Sequence, residues 1–207
     1  MITRQQERQM TKQKLRHELE IGVLDAIYRR RAVRSYTGEQ LDRARIEALL
    51  AAAVQAPTAM HEEPWVFTVI QDKRILKQLS DAAKNLLKEE LEEDLPQGKH
   101  ARDLINDAAF NVFYDAGTLV VIWAKPVGSF AAADCWLAAE NLMLAACGAG
   151  LGSCVIGFAV GALNTPEWKR RLGVHEKMTA IAPVILGVPA QAPPPVPRKK
   201  PEILSWQ

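Results

Sequence analysis

The sequence predicts one α+β domain in which helices cover a sheet. The chain has 207 residues, of which 48% are hydrophobic and 24% charged; this suits one domain of ordinary size and a globular composition. Four short apolar segments are typical of strands, and apolar residues recur at helical spacing in several segments around them. Because no linker divides two cores, this order of elements favours a single α+β domain.

The N-terminal part is predicted to be helical. Residues 1–20 are polar and predict a helical extension outside the main domain, which we assign to residues 21–207. An apolar stripe over residues 21–28 predicts a helix that leads into a cluster of arginines. Apolar residues recur at helical spacing between Asp42 and Pro57, which predicts the next helix.

Strands and helices then alternate through the middle of the chain. The segment Trp65–Ile70 is short and rich in β-formers, and Thr118–Ala124 is almost continuously apolar, as in a strand buried on both faces. Between them, the apolar residues from Ile75 to Leu91 predict the clearest amphipathic helix of the chain. The segment Phe130–Cys147 is apolar nearly all round, which predicts a helix in the centre of the core.

The last third of the chain is predicted to contain two more strands. Glycines in Gly148–Gly152 are expected to end the preceding helix in a left-handed conformation and to let backbones approach closely. The segment Ser153–Phe158 is predicted to be a strand. Thr165 can cap a helix with Pro166 at its first position, and Thr179–Val188 predicts the last strand, followed by a Pro-rich tail.

Charge and cysteine content exclude several classes of protein. The 26 basic and 24 acidic residues give a net charge of +2, too balanced for a protein that coats nucleic acid. The three cysteines and four histidines lack metal-ligand spacing, and an odd number of cysteines argues against a disulfide framework, so we predict no metal and a reducing, cytoplasmic environment. No apolar run is long enough to span a membrane, and the first residues lack the apolar core of a secretory signal.

Nucleotide-binding and hydrolase motifs are absent, but positive charge is unevenly placed. The glycine run does not match G-x-G-x-x-G, and neither a P-loop nor a G-x-S-x-G elbow occurs. Four arginines fall between Arg29 and Arg34, and a second basic cluster lies at Arg198–Lys200. Such clusters mark either a solvated face or an anion site.

Three separated segments carry a family resemblance. They are RRAVR at Arg30–Arg34, APTAMHEEPW at Ala56–Trp65, and GLGSCVIGF at Gly150–Phe158 together with the basic tail at Arg198–Pro201. In this order and spacing they resemble the nitroreductase family of FMN-dependent oxidoreductases. The resemblance covers the chain from about Asp25 onwards and implies a central, mostly antiparallel sheet flanked by helices in an interlocked homodimer, with FMN at the subunit interface.

The first segment corresponds to the family motif R-x-S-x-R. The resemblance implies that Arg30, Arg31 and Arg34 hold the phosphate and ribityl chain of FMN, which suits the fixed fork of the guanidinium group. Ala32 stands where serine is usual, so one hydroxyl contact to the flavin should be missing.

The second segment corresponds to P-S-x-x-N-x-Q-P-W. The resemblance implies that Pro57, Thr58, Ala59 and His61 approach FMN from the partner subunit. Thr58 keeps a hydroxyl, whereas His61 replaces asparagine and Glu63 replaces glutamine.

The third segment would face the flavin ring. The resemblance implies that the backbone of Val155, Ile156 and Gly157 lies near N5, where amides can stabilise negative charge on the reduced ring. Arg198 corresponds to the tail arginine that completes the phosphate site.

The activity implied by the resemblance passes hydride from NADH or NADPH through FMN to a small acceptor, such as a nitroaromatic or a quinone, with ping-pong kinetics. No side chain needs to be catalytic, and neither nucleic acid nor membrane is an expected partner. One alternative is a flavin sensor or storage protein of the same fold without turnover. Another is a module that binds nucleic acid or an acidic partner through its basic segments.

Several residues are assigned structural roles. Trp65 is expected to anchor the core, and Cys147 and Cys154 are expected to be small core residues. Asp134 and Glu140 are expected to cap a helix or to lie at an interface.

Overall fold

The computed structural model describes residues 21–90 and 99–207, so the helical extension predicted over 1–20 lies outside the described residues. The helices are α1 (Val23–Arg29), α2 (Arg43–Ala53), α3 (Lys73–Glu90), α4 (Lys99–Asn106), α5 (Ala131–Gly148), α6 (Val160–Leu163) and α7 (Pro166–Arg171). The strands are β1 (Trp65–Ile70), β2 (Thr118–Ala124), β3 (Gly152–Val155) and β4 (Thr179–Gly187), and 3₁₀ turns lie at Ala59–His61 and Gly157–Ala159.

The four strands form one antiparallel sheet in the order β1-β2-β4-β3. The central strand β2 pairs with β1 from Trp65 opposite Ala124 to Ile70 opposite Leu119. All of its residues are buried, as expected for a strand covered on both faces. The predicted α+β fold, with an antiparallel sheet flanked by helices, is therefore confirmed.

Alternate residues of β2 enter two separate cores. Val120 and Ile122 pack in the core formed with α2 and α5. Leu119, Val121 and Trp123 pack in the core formed with α3, α6 and α7. Because successive side chains of a strand point to opposite faces, β2 joins the two helical layers.

Two predicted elements differ in the structure. The strand predicted over Ser153–Phe158 ends at Val155, because the chain turns at Ile156 into the 3₁₀ turn Gly157–Ala159. The helix predicted over Phe130–Cys147 is present as α5, but it is not buried on all sides, since Trp136 and Leu137 are 46% and 45% exposed. In the described chain, α5 packs one face on the core and presents an apolar outer face.

In the C-terminal half, the predicted helix cap and the predicted roles of two glycines are confirmed. The hydroxyl of Thr165 accepts a hydrogen bond from the backbone N–H of Trp168, which caps α7, with Pro166 at its first position. Gly150 has a φ of +70° after α5, and a Cβ on Gly152 would lie 2.9 Å from the side chain of Val33. Within the described residues, no helix combines the length and apolarity needed to cross a membrane.

Candidate functional site

The arginine segment that follows α1 lies against β3. The backbone N–H of Val33 donates to the carbonyl of Ser153 at 3.0 Å, and Ala32 forms an isolated parallel bridge with the same residue. The missing side chain of Gly152 allows this close approach. The structure therefore brings Arg30–Arg34 next to the strand that leads into Val155–Gly157.

Arg30 is held by the long helix α5. Its Nε lies 3.5 Å from Oε1 of Glu140, and its side chain is only 23% exposed. The sequence assigned Glu140 a helix-cap or interface role, whereas the structure pairs its carboxylate with a predicted cofactor-binding arginine. No local spacing signals this pair, because the two residues are more than a hundred positions apart.

Arg31 combines a capping role with an unused donor. Its Nη1 donates to the carbonyl oxygens of Tyr28 at 2.6 Å and Arg30 at 2.8 Å, as expected for a cation at the C-terminal end of a helix. Its Nε is buried and has no hydrogen-bond partner among the described residues. Buried donors are nearly always satisfied in native proteins, so an acceptor from a bound anion fits here.

Arg34 lies near Tyr114 and Cys154, whereas Arg30 pairs with Glu140 on α5. Its guanidinium carbon lies 5.9 Å from the centre of the Tyr114 ring. Burial raises the pKa of the Cys154 thiol, and the positive charge of Arg34 opposes that shift. Arg34 thus lies near Tyr114 and near Cys154 of β3, and it is exposed to solvent.

The loop Pro57–Glu63 has an unusual backbone. Met60, His61 and Glu63 have φ values of 54°, 57° and 42°, and a left-handed conformation costs a residue with a side chain about 1–2 kcal/mol. The hydroxyl of Thr58 accepts the N–H of Glu63 at 3.1 Å and donates to the carbonyl of Ala59 at 3.2 Å. Conformations of this kind persist only where the surroundings hold them, and they cluster at functional sites.

Two side chains from elsewhere in the chain hold this loop. The buried carboxylate of Asp134, in the first turn of α5, accepts the backbone N–H of Ala59 at 3.1 Å. The Nζ of Lys125 donates to the carbonyl of Glu63 at 3.2 Å. The sequence missed this role of Asp134, whose one signal was that it is one of two carboxylates on a largely apolar helix.

The exit of β3 offers open space. The N–H of Ile156 donates to the carbonyl of Pro183 at 2.8 Å, so this amide is already engaged by β4. Gly157 is exposed, and a Cβ placed on it would meet no atom within 4 Å. Gly157, one of the three positions predicted to face a flavin ring, therefore borders free space.

Arg198 lies in the exposed C-terminal tail. Backbone hydrogen bonds anchor the start of the tail, from Thr37 N–H to the carbonyl of Val188 and from Ala190 N–H to that of Ser35, both at 3.0 Å. Beyond this point, residues 194–207 are exposed. Within the described chain, the side chain of Arg198 makes no hydrogen bond or ion pair.

Thiol and metal chemistry find little support at this site. Burial raises the pKa of Cys135 to about 11 and also raises the pKa values of Cys147 and Cys154, so all three thiols are protonated at neutral pH. In the part of the chain that the structure describes, no three His, Cys, Asp or Glu side chains group as they would around a metal ion. The notable features are the arginines beside β3, the strained backbone of the loop Pro57–Glu63 and the open space at Gly157.

An antiparallel sheet between two helical layers, with a cationic segment beside β3, defines a protein of the α+β class. The model of the nitroreductase family matches residues 27–187, and the chain belongs to this family. The predicted family resemblance is therefore confirmed.

Individual relatives agree with this assignment. The chain is 31% identical over 167 residues to an Archaeoglobus fulgidus protein whose provisional name is NADH dehydrogenase/NAD(P)H nitroreductase, covering 80% of this chain and 84% of that protein. It resembles the crystal structure of a Bacteroides fragilis nitroreductase with bound FMN, with a TM-score of 0.75, 29% identity, and coverage of 90% and 98% of the two chains. An iodotyrosine deiodinase bound to FMN and 3-iodo-L-tyrosine shares the fold at 21% identity, with a TM-score of 0.73 and coverage of 88% and 97%.

Proposed function

We propose that this protein is an oxidoreductase that binds FMN and transfers electrons from NADH or NADPH to a small organic acceptor, such as a nitroaromatic or a quinone. The observation that carries the proposal is the buried Nε of Arg31, which lacks an acceptor beside the partly buried guanidinium of Arg30. A phosphate monoester supplies several acceptor oxygens and nearly two negative charges, which suits both groups.

The residues present fit FMN at this site. Arg30 and Arg31 would bind the phosphate, Arg34 would add positive charge beside β3, and the open space at Gly157 would admit a ring. When bound, FMN supplies the hydride and electron transfer chemistry. The protein would supply placement and charge, and no side chain is proposed as a nucleophile or a metal ligand.

The loop residues would complete the site from the partner subunit. Thr58 and Ala59 lie in the strained loop, and Pro57 and His61 are exposed at its edges. The exposed Arg198 would add a further positive charge at the phosphate, since its side chain makes no hydrogen bond or ion pair within the described chain. Ala32 offers no hydroxyl, and His61 offers an imidazole in place of an amide.

The nicotinamide donor and the acceptor are proposed to use the same pocket in turn, which gives ping-pong kinetics. The provisional name of the Archaeoglobus fulgidus relative includes NAD(P)H nitroreductase, which supports the donor. A deiodinase shares this fold, so the fold alone does not define the acceptor.

The direct test is anaerobic reduction of the purified protein. We expect a yellow protein whose flavin absorbance is bleached by NADH or NADPH and restored by at least one compound from a panel of nitroaromatics and quinones. Parallel initial-rate plots would support ping-pong kinetics. A stable yellow colour that neither nicotinamide bleaches would favour the sensor or storage alternative, which Ala32, His61 and Glu63 support. A colourless protein that cannot bind added FMN would contradict both the oxidoreductase and the sensor or storage proposal.

The phosphate assignment can be tested by removing single arginines. Arg34→Ala and Arg198→Ala should each weaken FMN binding about tenfold or more, because a hydrogen bond to a charged group contributes about 1.5–3 kcal/mol. Titration of flavin fluorescence measures the dissociation constant. The exposed Arg170→Ala on α7 is the control and should leave it unchanged; unaltered affinity in both test variants would contradict the assignment.

We also propose that the protein is a homodimer with FMN at the subunit interface. Large apolar side chains are exposed on α1 and on the outer face of α5, including Tyr28 at 75%, Trp136 and Leu137. Monomeric proteins rarely expose contiguous apolar patches, and a second copy that covers both helices would bury these side chains.

The dimer is tested by light scattering coupled to size exclusion. Trp136→Lys should shift the protein towards monomers and release FMN, because a charge would have to be buried in the interface. Val69→Lys changes an exposed apolar residue on β1 and is the matched control, which should stay dimeric. A monomeric wild-type protein that binds FMN tightly would contradict the proposal.

A further inference from the structure

We propose that Asp134 is a positioning residue, whose buried carboxylate holds the loop Pro57–Glu63 in the shape that receives the cofactor. This inference rests on the proposed FMN site, because it assigns a role to a residue that supports that site without touching the cofactor. It concerns a contact between α5 and the loop that neither the sequence pattern nor the family assignment identifies.

The loop needs an external hold because its own conformation is unfavourable. Met60, His61 and Glu63 are all left-handed, and the side chain of Met60 is 87% exposed, so packing contributes little there. The hydrogen bonds of Thr58 act only within the loop. A free loop would leave these left-handed conformations for commoner ones.

Asp134 provides the buried part of that hold. It is 5% exposed, and its Oδ2 accepts the N–H of Ala59 at 3.1 Å. Hydrogen bonds to a charged acceptor are about twice as strong as those between neutral groups, and burial shields this bond from water. Lys125 holds the other end of the loop at the carbonyl of Glu63, but that contact is exposed.

The placement of Asp134 is costly without this contact. Its neighbours on the buried face of α5 are small or apolar residues such as Ala131, Cys135 and Ala138, and an unpaired charge is strongly disfavoured among such groups. Its position in the first turn lets the helix dipole offset part of that cost. Among the described residues, the N–H of Ala59 is the hydrogen-bond partner of this carboxylate.

The same helix also holds the arginine segment. Glu140, which pairs with Arg30, comes six residues after Asp134, or about 9 Å along the helix axis. The two carboxylates thus fix two predicted cofactor-binding segments to one rigid element. A change in either contact should therefore be felt in cofactor binding more than in overall folding.

The test compares three variants of the full-length protein. Asp134→Ala removes the acceptor, whereas Asp134→Asn keeps an acceptor oxygen and removes the charge. Asp42→Ala is the matched control, since the Asp42 carboxylate also accepts one backbone N–H, that of Arg45 at 2.8 Å, but at the start of α2. For each variant we would measure the FMN dissociation constant, the melting temperature, and amide hydrogen exchange over residues 59–63 before and after FMN is added.

We expect Asp134→Ala to weaken FMN binding about tenfold or more and to speed exchange of the Ala59 amide in the FMN-free protein. Asp134→Asn should restore part of both effects. Asp42→Ala should lower the melting temperature with FMN affinity unchanged within about twofold, because a lost cap costs stability locally.

The outcomes separate this inference from the proposed function. If the wild-type protein binds no FMN, the proposed function fails, and exchange at Ala59 still decides whether Asp134 holds the loop. Equal exchange at Ala59 and equal FMN affinity in wild type and Asp134→Ala would overturn the positioning role. The positioning role would also be overturned if FMN affinity fell in proportion to melting temperature in both Asp134→Ala and Asp42→Ala, since the loss of affinity would then reflect stability alone.

Discussion

The two faces of the sheet are both buried, but they are covered in different ways. On one face, α2 and α5 contribute many alanines, and the core residues on β2 are Val120, Ile122 and Ala124. On the other face, α3, α6 and α7 pack around larger side chains, among them Trp123, Phe113 and Trp168. Small side chains let α5 lie close to the sheet, while bulky ones fill the space on the α3 side.

The two layers support the predicted site to different extents. The α5 layer holds the Arg30 segment through Glu140 and the Pro57–Glu63 loop through Asp134. The α3 layer makes neither of these two contacts. Because the α3 layer packs against Ile156 and Tyr114, we expect damage to either layer to lower stability and damage to the α5 layer to weaken cofactor binding more.

The largest effect is expected from a matched pair of core truncations. Leu142 on α5 and Leu79 on α3 are both fully buried, so Leu142→Ala and Leu79→Ala should each lower the free energy of unfolding by about 2–5 kcal/mol. Leu142→Ala should weaken FMN binding more than Leu79→Ala does, because the cavity lets α5 shift with its two carboxylates. Urea unfolding and flavin fluorescence measure the two quantities.

The comparison fails if both truncations change FMN affinity equally at a temperature where both variants are folded. That result would mean that the site depends on global stability and that neither layer supports it specifically. Preserved affinity in Leu142→Ala, despite a clear loss of stability, would instead show that the loop and arginine contacts are independent of the helix position.

The central strands could be predicted from the sequence because their signal is local. The run Thr118–Ala124 is almost continuously apolar and is buried on both faces, with the predicted bounds. The bounds of Trp65–Ile70 are also correct. The cap of α7 by Thr165 could be predicted for the same reason, since the capping hydroxyl lies only a few residues from the N–H that it accepts.

The site contacts could not be predicted because they join distant positions. Asp134 and Ala59 are 75 residues apart, and no spacing rule relates a helix carboxylate to a loop amide at such a distance. The exposed face of α5 was missed for another reason: apolar character predicts that a face is covered, but it does not say whether the same chain or another one covers it. The family motifs indicated Arg30–Arg34 as a segment, while the roles of Glu140 and Asp134 required the fold.

A smaller effect is expected at alkaline pH, where the buried thiols of Cys135 in the α5 layer and Cys154 in the α3 layer should lower the stability of the protein by different amounts. Burial raises the pKa of Cys135, on α5, from 9.0 to about 11. Between these values the unfolded chain loses this proton while the folded protein keeps it, so stability falls as pH rises. The loss should reach about 2 kcal/mol at about pH 10.5. Burial also raises the pKa of Cys154 in the α3 layer, but Arg34 opposes this shift, so we expect a smaller loss.

Urea unfolding of Cys135→Ala and Cys154→Ala at about pH 8 and about pH 10.5 measures this difference. Any cost of the alanine itself is the same at both pH values and cancels when the two free energies are subtracted. Cys135→Ala should remove most of about 2 kcal/mol of alkaline loss, and Cys154→Ala should remove less. If Cys154→Ala removed the larger part, burial of that thiol would outweigh the opposing charge of Arg34, and the expected order of the two thiols would be wrong.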